Sequence, residues 1–114
     1  MEMRIRNLGR DDAVTIVDIK FDIDMTTVAR FKQEMQKLIR QGRYKLILNF
    51  QGVSYLNSAA LGTIAATFKK VHANKGDLRL LNLSPPLQEH FELVKFTSIM
   101  QVFDDESEAI ESFY

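Results

Sequence analysis

Residues 44–50 read Tyr-Lys-Leu-Ile-Leu-Asn-Phe, nearly continuous in apolar side chains, and lie between two stretches of helical periodicity. A strand with apolar side chains on both faces must be covered on both, which is the situation of a central strand in a helix-flanked sheet. The rest of the chain is therefore read as layers around this strand.

Upstream, Val28, Phe31, Met35 and Leu38, with Ile39 beside them, recur at the helical interval, while Arg30, Lys32, Gln33, Glu34, Gln36 and Lys37 fill the other face. Asp24 or Thr26 can cap the start of this helix, and Gly42 fits just beyond its end. Before it, residues 13–20 are rich in β-branched side chains, with Val14, Ile16 and Asp18 on one face. Met3, Ile5 and Asn7 alternate with Glu2, Arg4 and Arg6 as in an edge strand, and Gly9-Arg10-Asp11-Asp12 reads as the hairpin turn between the two.

Downstream, a second helix spans residues 58–74, Gly76-Asp77 turns the chain, and residues 78–83 form another strand. Ser84 can cap a third helix whose first turn holds Pro85 and Pro86, where proline loses no hydrogen bond, and Leu87, Phe91 and Val94 give it a face. A short strand near residues 99–103 leads to a last helix. There Asp104, Asp105 and Glu106 favour the N-terminus electrostatically, and Ala109, Ile110 and Phe113 anchor the body. The order β-β-α-β-α-β-α-β-α implies an α/β (α+β-like) fold, with about four helices on a mixed sheet of about five strands.

No repeat or Gly/Ser-rich linker divides the 114 residues, which read as one domain, 1–114, with enough apolar material for one core. Lys plus Arg and Asp plus Glu balance at 15 each, which argues against a nucleic-acid binder relying on bulk positive charge. Without cysteine there is no disulfide, thiolate metal site or cysteine nucleophile. No signal-peptide h-region or membrane-length apolar run is present, so the expectation is a soluble, cytoplasmic protein.

A search for catalytic groups finds none. The two histidines, His72 and His90, lie apart on the second and third helices, with His72 on the inward edge by phase. The glycines at 9, 42, 52, 62 and 76 are too scattered for a phosphate-cradling loop, and there is no nucleophile elbow or metal-binding histidine pair. Asp11-Asp12, Asp22 with Asp24, and Asp104-Asp105-Glu106 read as turns and helix starts. The expectation is a non-enzyme without metal or cofactor.

The informative segment is residues 53–64, Val-Ser-Tyr-Leu-Asn-Ser-Ala-Ala-Leu-Gly-Thr-Ile, which leaves the buried strand and opens the second helix. Helical phase turns Leu61, Ile64, Ala65, Phe68 and Val71 to the sheet, leaving Ala59, Thr63, Ala66, Lys70 and Ala73 outside. Such low relief suits either a plain alanine-rich helix or a surface that another backbone approaches closely. Ser58 can serve as N-cap, but Asn57 competes for that role. If Asn57 caps, the Ser58 hydroxyl points outward, and a phosphate on it would meet the positive end of the helix. It would also place about −1.5 to −2 charges on the docking surface.

Residues 55–62, Tyr-Leu-Asn-Ser-Ala-Ala-Leu-Gly, resemble the STAS family signature Asp-Ser-[Ser/Thr/Ala]-Gly-Leu-Gly at a helix start. Phe21-Asp22-Ile23-Asp24 stands in the place of the family's Gly-x-[Leu/Ile]-Asp, residues 76–84 resemble its fourth strand and loop, and residues 91–96 its Leu-x-Leu-[Thr/Val]-Gly-Leu. Asn57 replaces the usual Asp, Ala60 a Gly and Phe21 a Gly. The resemblance is to the anti-sigma factor antagonist type. It implies a bacterial regulator that binds a GHKL-type serine kinase/anti-sigma factor, is phosphorylated at Ser58, and is restored by a PP2C-type phosphatase. Asp24, Asn57, Ser58, Ala59, Gly62, Thr63 and Ala66 would then form the partner-binding surface. The alternative is a non-switching interaction subunit of a lipid-transport ATPase complex, with Ser58 only a helix cap.

Overall fold

In the computed structural model, which describes residues 2–114, five strands pair in the order in which they occur along the chain. Strand β1 (Arg4–Leu8) runs antiparallel to β2 (Val14–Asp18), and β2, β3 (Lys45–Asn49), β4 (Asp77–Leu81) and β5 (Val102–Phe103) are mutually parallel. Between them lie helices α1 (Val28–Arg40), α2 (Ser58–Ala73) and α3 (Pro85–Leu93), and α4 (Glu106–Glu111) follows β5. Each crossover joins neighbouring parallel strands, so handedness sends α1, α2 and α3 to the same face. Phe31, Met35, Ile64, Val71, Leu87 and Phe91 accordingly share one core with Val17, Leu46, Leu48, Leu78 and Leu80. Helix α4 covers the other face, where Ala109 meets Val14, Ile16, Ile47 and Leu81.

The two-sided cover explains the apolar run of β3. Leu46 and Leu48 point to one core and Ile47 to the other, and all three are fully buried. Burying each contributes about 1.5–3 kcal/mol relative to exposure. Helix α1 ends in a Schellman motif. The Arg43 N–H bonds the Leu38 carbonyl, the Gly42 N–H bonds the Ile39 carbonyl, and Gly42 adopts φ +75°. At the turn into β4, a Cβ on Gly76 would lie 1.9 Å from the Tyr44 carbonyl oxygen, so only glycine lets the two backbones meet.

Polar groups fasten the carboxyl ends of the strands. Arg6 binds Asp18 through Nε at 2.8 Å and Glu106 through Nη2 at 2.5 Å, tying β1, β2 and α4 together. Asn49 donates to Asp18 at 2.8 Å and accepts from Asn82 at 3.0 Å, which extends the chain of bonds past β4. Burial opposes ionisation of Asp18, but the bonds from Arg6 and Asn49 outweigh it and hold the carboxyl below its ordinary range. Glu106 and Asp18 together raise the Arg6 guanidinium above its own.

Several local expectations shift. Ser84 precedes α3 but its hydroxyl makes no cap bond; it donates to the Val53 carbonyl at 3.3 Å. Val94 falls outside the buried face, at the C-cap of α3 and 37% exposed, because the helix ends one residue before it. The strand expected at residues 99–103 contracts to two residues, since a 3₁₀ turn at Phe96–Ser98 occupies the approach and Ile99 is exposed. His72 turns outward, its Nε2 2.8 Å from Asp77 Oδ1 and its ring against Phe68. Ala60 and Thr67 join Leu61, Ile64 and Val71 in the buried face of α2, while Ala65 and Phe68 are half-buried. Thr67 tolerates burial because its hydroxyl donates to the Thr63 carbonyl at 2.8 Å.

Candidate functional site

Two loops leave the carboxyl ends of β2 and β3 and are stitched side by side. Ile23 and Leu56 form an isolated parallel bridge, with the Ile23 N–H on the Tyr55 carbonyl at 3.0 Å and the Asn57 N–H on the Ile23 carbonyl at 2.9 Å. Both side chains are buried and anchor the loops to the core. Asp22 adds a clamp: its Oδ1 accepts from the Ser54 N–H at 2.8 Å and from the Tyr55 N–H at 3.3 Å.

The cap competition at α2 is resolved by side-chain reach. Asn57 is the N-cap, extended at φ −81° and ψ 174°, and its Oδ1 accepts from the Ala60 N–H at 2.9 Å. Ser58 is thereby released. It is the first residue of α2, is exposed, and its hydroxyl makes no hydrogen bond among the described residues. The N–H groups of Ser58 and Ala59 likewise find no acceptor there. An exposed hydroxyl therefore stands at the positive end of a 16-residue helix dipole, beside free donors.

Around it, Ala59, Gly62 and Ala66 are exposed and Thr63 is half-buried, its hydroxyl turned back to the Ala59 carbonyl at 3.0 Å. These residues form one low-relief strip along α2. Gly62 is informative because a Cβ there would meet nothing within 4 Å, so packing inside this chain does not require glycine. A mid-helix glycine costs about 1 kcal/mol relative to alanine.

Asp24 sits in the loop before α1. Its Oδ1 accepts from the Thr26 N–H at 2.8 Å and the Thr26 hydroxyl at 2.7 Å, and these bonds hold its carboxyl below the ordinary range. Its carbonyl accepts from the Thr27 and Val28 N–H groups, so its backbone and side chain together shape the entry to α1. Asp24 and the α2 strip are thus joined through the Ile23–Leu56 bridge.

Two residues that sequence reasoning passed over belong to the same loops. Met25 is 90% exposed and Tyr55 is 52% exposed. Met25 could have been noticed as an apolar residue stranded among Asp24, Thr26 and Thr27, in phase with no helical face. Among the described residues no group of three or more His, Asp or Glu side chains converges as a metal site would require. No described helix is long and apolar enough to cross a membrane.

The STAS domain family model matches residues 6–109. An anti-sigma-B factor antagonist from Staphylococcus epidermidis is 24% identical over 102 residues, covering 90% of this chain and 94% of that protein. Among solved structures, a protein from Thermotoga maritima superposes with a TM-score of 0.89 at 20% identity, covering 97% of this chain and 93% of that one. The Bacillus cell fate determinant SpoIIAA in its phosphorylated form gives 0.77 at 22% identity, covering 99% and 100%. The mixed five-stranded sheet and its helices are the fold of these antagonists, and this chain belongs to the STAS domain family.

Proposed function

We propose that this protein is an anti-sigma factor antagonist that docks onto a protein partner through the mouth of α2 and is switched off by phosphorylation of Ser58. The observation that carries the reading is the free Ser58 hydroxyl, released by the Asn57 cap and set at the head of a smooth strip with Gly62 in it. The partner is a GHKL-type serine kinase that doubles as an anti-sigma factor, and binding it releases the sigma factor. Asn57, Ala59, Gly62, Thr63 and Ala66 form the contact strip, with Asp24 on the adjoining loop.

In the switching step the Ser58 oxygen attacks the γ-phosphorus of ATP, the bond to the bridging oxygen breaks, ADP leaves, and the hydroxyl proton passes to a base of the kinase. The product adds about −1.5 to −2 charges. The free N–H groups and helix dipole accept that charge, so the fold is retained while an uncharged docking strip becomes charged. A PP2C-type phosphatase hydrolyses the ester and restores binding.

The test is intact-protein mass spectrometry, followed by peptide mapping, after incubation with the GHKL-type kinase and ATP. The expected result is one phosphate on Ser58 and none on a Ser58→Ala variant. By calorimetric titration Ser58→Asp binds the kinase more weakly than the parent while its circular dichroism stays native. An unmodified Ser58, or equal affinities, overturns the proposal.

A further inference from the structure

The docking strip on α2 is smooth and small. Asn57, Ser58, Ala59, Gly62, Thr63 and Ala66 include no large side chain. A specific interface takes roughly 20–30 residues from each side and draws most of its energy from a few bulky anchors seated in pockets. The strip therefore needs such an anchor beside it. Toward α1 the surface offers little, because the space between α1 and α2 holds only about 50 Å³, with Lys32, Gln36 and Lys70 among its walls.

Toward α3 it offers more. An open groove of about 260 Å³ separates the loop before α2 from α3. Leu56 and Leu87, each 1% exposed, close it from beneath, and Tyr55, Pro86 and Leu93 stand at its sides. Pro86, His90 and Leu93 recur at the helical interval, so one face of α3 supplies that wall. Tyr55 is 52% and Leu93 74% exposed, which leaves both with apolar surface to lose. The groove is continuous with the Ser58 end of the strip, since Tyr55 and Leu56 run directly into the cap Asn57. Glu89 and His90 also line it, and Lys95 stands exposed just past Leu93. Charges of both signs are thus at hand, and apolar contact, not charge, selects the occupant. The volume lies below the roughly 300–1,000 Å³ of small-molecule sites and suits one bulky side chain.

We propose that the protein partner that lands on the α2 strip inserts a leucine-sized or aromatic side chain between Tyr55 and Leu93. The inference rests on the strip being that partner's landing surface. Leu56 and Leu87 meet the tip of the inserted side chain, and Tyr55 and Leu93 are dehydrated on either side of it. The groove supplies affinity and the neighbouring Ser58 supplies the switch.

Calorimetric titration of the full-length chain with the GHKL-type kinase tests this. Tyr55→Ala and Leu93→Asp each weaken binding by about tenfold or more, the scale of an anchor's loss. Ile99→Ala, at a position 55% exposed but outside the groove, stays within about twofold of the parent. All three side chains are exposed, and circular dichroism checks each fold. Groove variants that bind like the parent while Ser58→Asp binds weakly overturn the groove and leave the switch standing. Groove variants that bind weakly while Ser58→Asp binds like the parent support the groove and overturn the switch. A chain that does not bind the kinase overturns both, and an equal loss at Ile99 overturns the groove. Sedimentation of the chain alone gives a monomer; self-association that Leu93→Asp abolishes makes a second copy the occupant and also overturns the proposal.

Discussion

The side chain of Asn57 accepts a hydrogen bond from the Ala60 N–H at 2.9 Å, and this one contact decides what Ser58 is free to do. Were Ser58 the cap, its hydroxyl would be committed to the backbone N–H groups of the first turn instead of standing free. With Asn57 in that role the helix keeps its cap whatever happens to its neighbour.

The first prediction separates the two residues. Asn57→Ala removes the cap and destabilises the protein by about 1 kcal/mol. Ser58→Ala changes stability by less than about 0.5 kcal/mol, as at an ordinary surface position. Urea denaturation of both variants is the measurement, and a larger effect at Ser58 contradicts the cap assignment.

Gly62 supplies a test in which stability and binding move in opposite directions. A Cβ at this position meets open space, so Gly62→Ala raises the stability of the free chain by about 1 kcal/mol through helix propensity. The same methyl group raises the relief of the docking strip and weakens binding to the kinase partner. Thermal denaturation and titration on the same preparation check both signs.

Asp22 holds the second loop from the first. Asp22→Ala removes the acceptor for the Ser54 and Tyr55 N–H groups, each such bond contributing about 1 kcal/mol. Amide exchange at Ser54 and Tyr55 accelerates roughly fivefold, the factor corresponding to that energy, while exchange in β3 and β4 stays within a factor of two of the parent. Uniform acceleration everywhere would show that the clamp supports the whole fold instead of this loop.

The acid response follows from Asp18. Its carboxyl titrates below its ordinary value of 3.8 in the folded protein, so its stabilising contribution is fully present above that value and is lost as pH falls through the lower folded value. Urea midpoints measured from about pH 6 down to about pH 2 fall most steeply below about pH 4. Asp18→Asn flattens that part of the curve. It also lowers stability at neutral pH by about 1–3 kcal/mol, because Arg6 loses one of its two carboxylate partners.

The sequence determined what depends on neighbours within a few residues. The period of Val28, Phe31, Met35 and Leu38 makes α1 helical with one buried face, and Gly42 ends it in a left-handed turn. The apolar run ending in Phe50 requires cover on both sides, and the strand-helix alternation then leaves few topologies. The segment from Tyr55 to Gly62 stands out because small side chains on an outward helix face are unusual. Only the tertiary structure decided how these pieces meet. Asn57 wins the cap, and Ser84 gives its hydroxyl to Val53, because side-chain direction at a helix entry is set by the loop packed beside it. His72 turns outward because Asp77, on the next strand, offers a partner there. β5 is short because the backbone folds into a 3₁₀ turn with Lys95 left-handed at φ 68°. Charge and periodicity are properties of residues in order, whereas proximity between residues far apart in the chain exists only after folding.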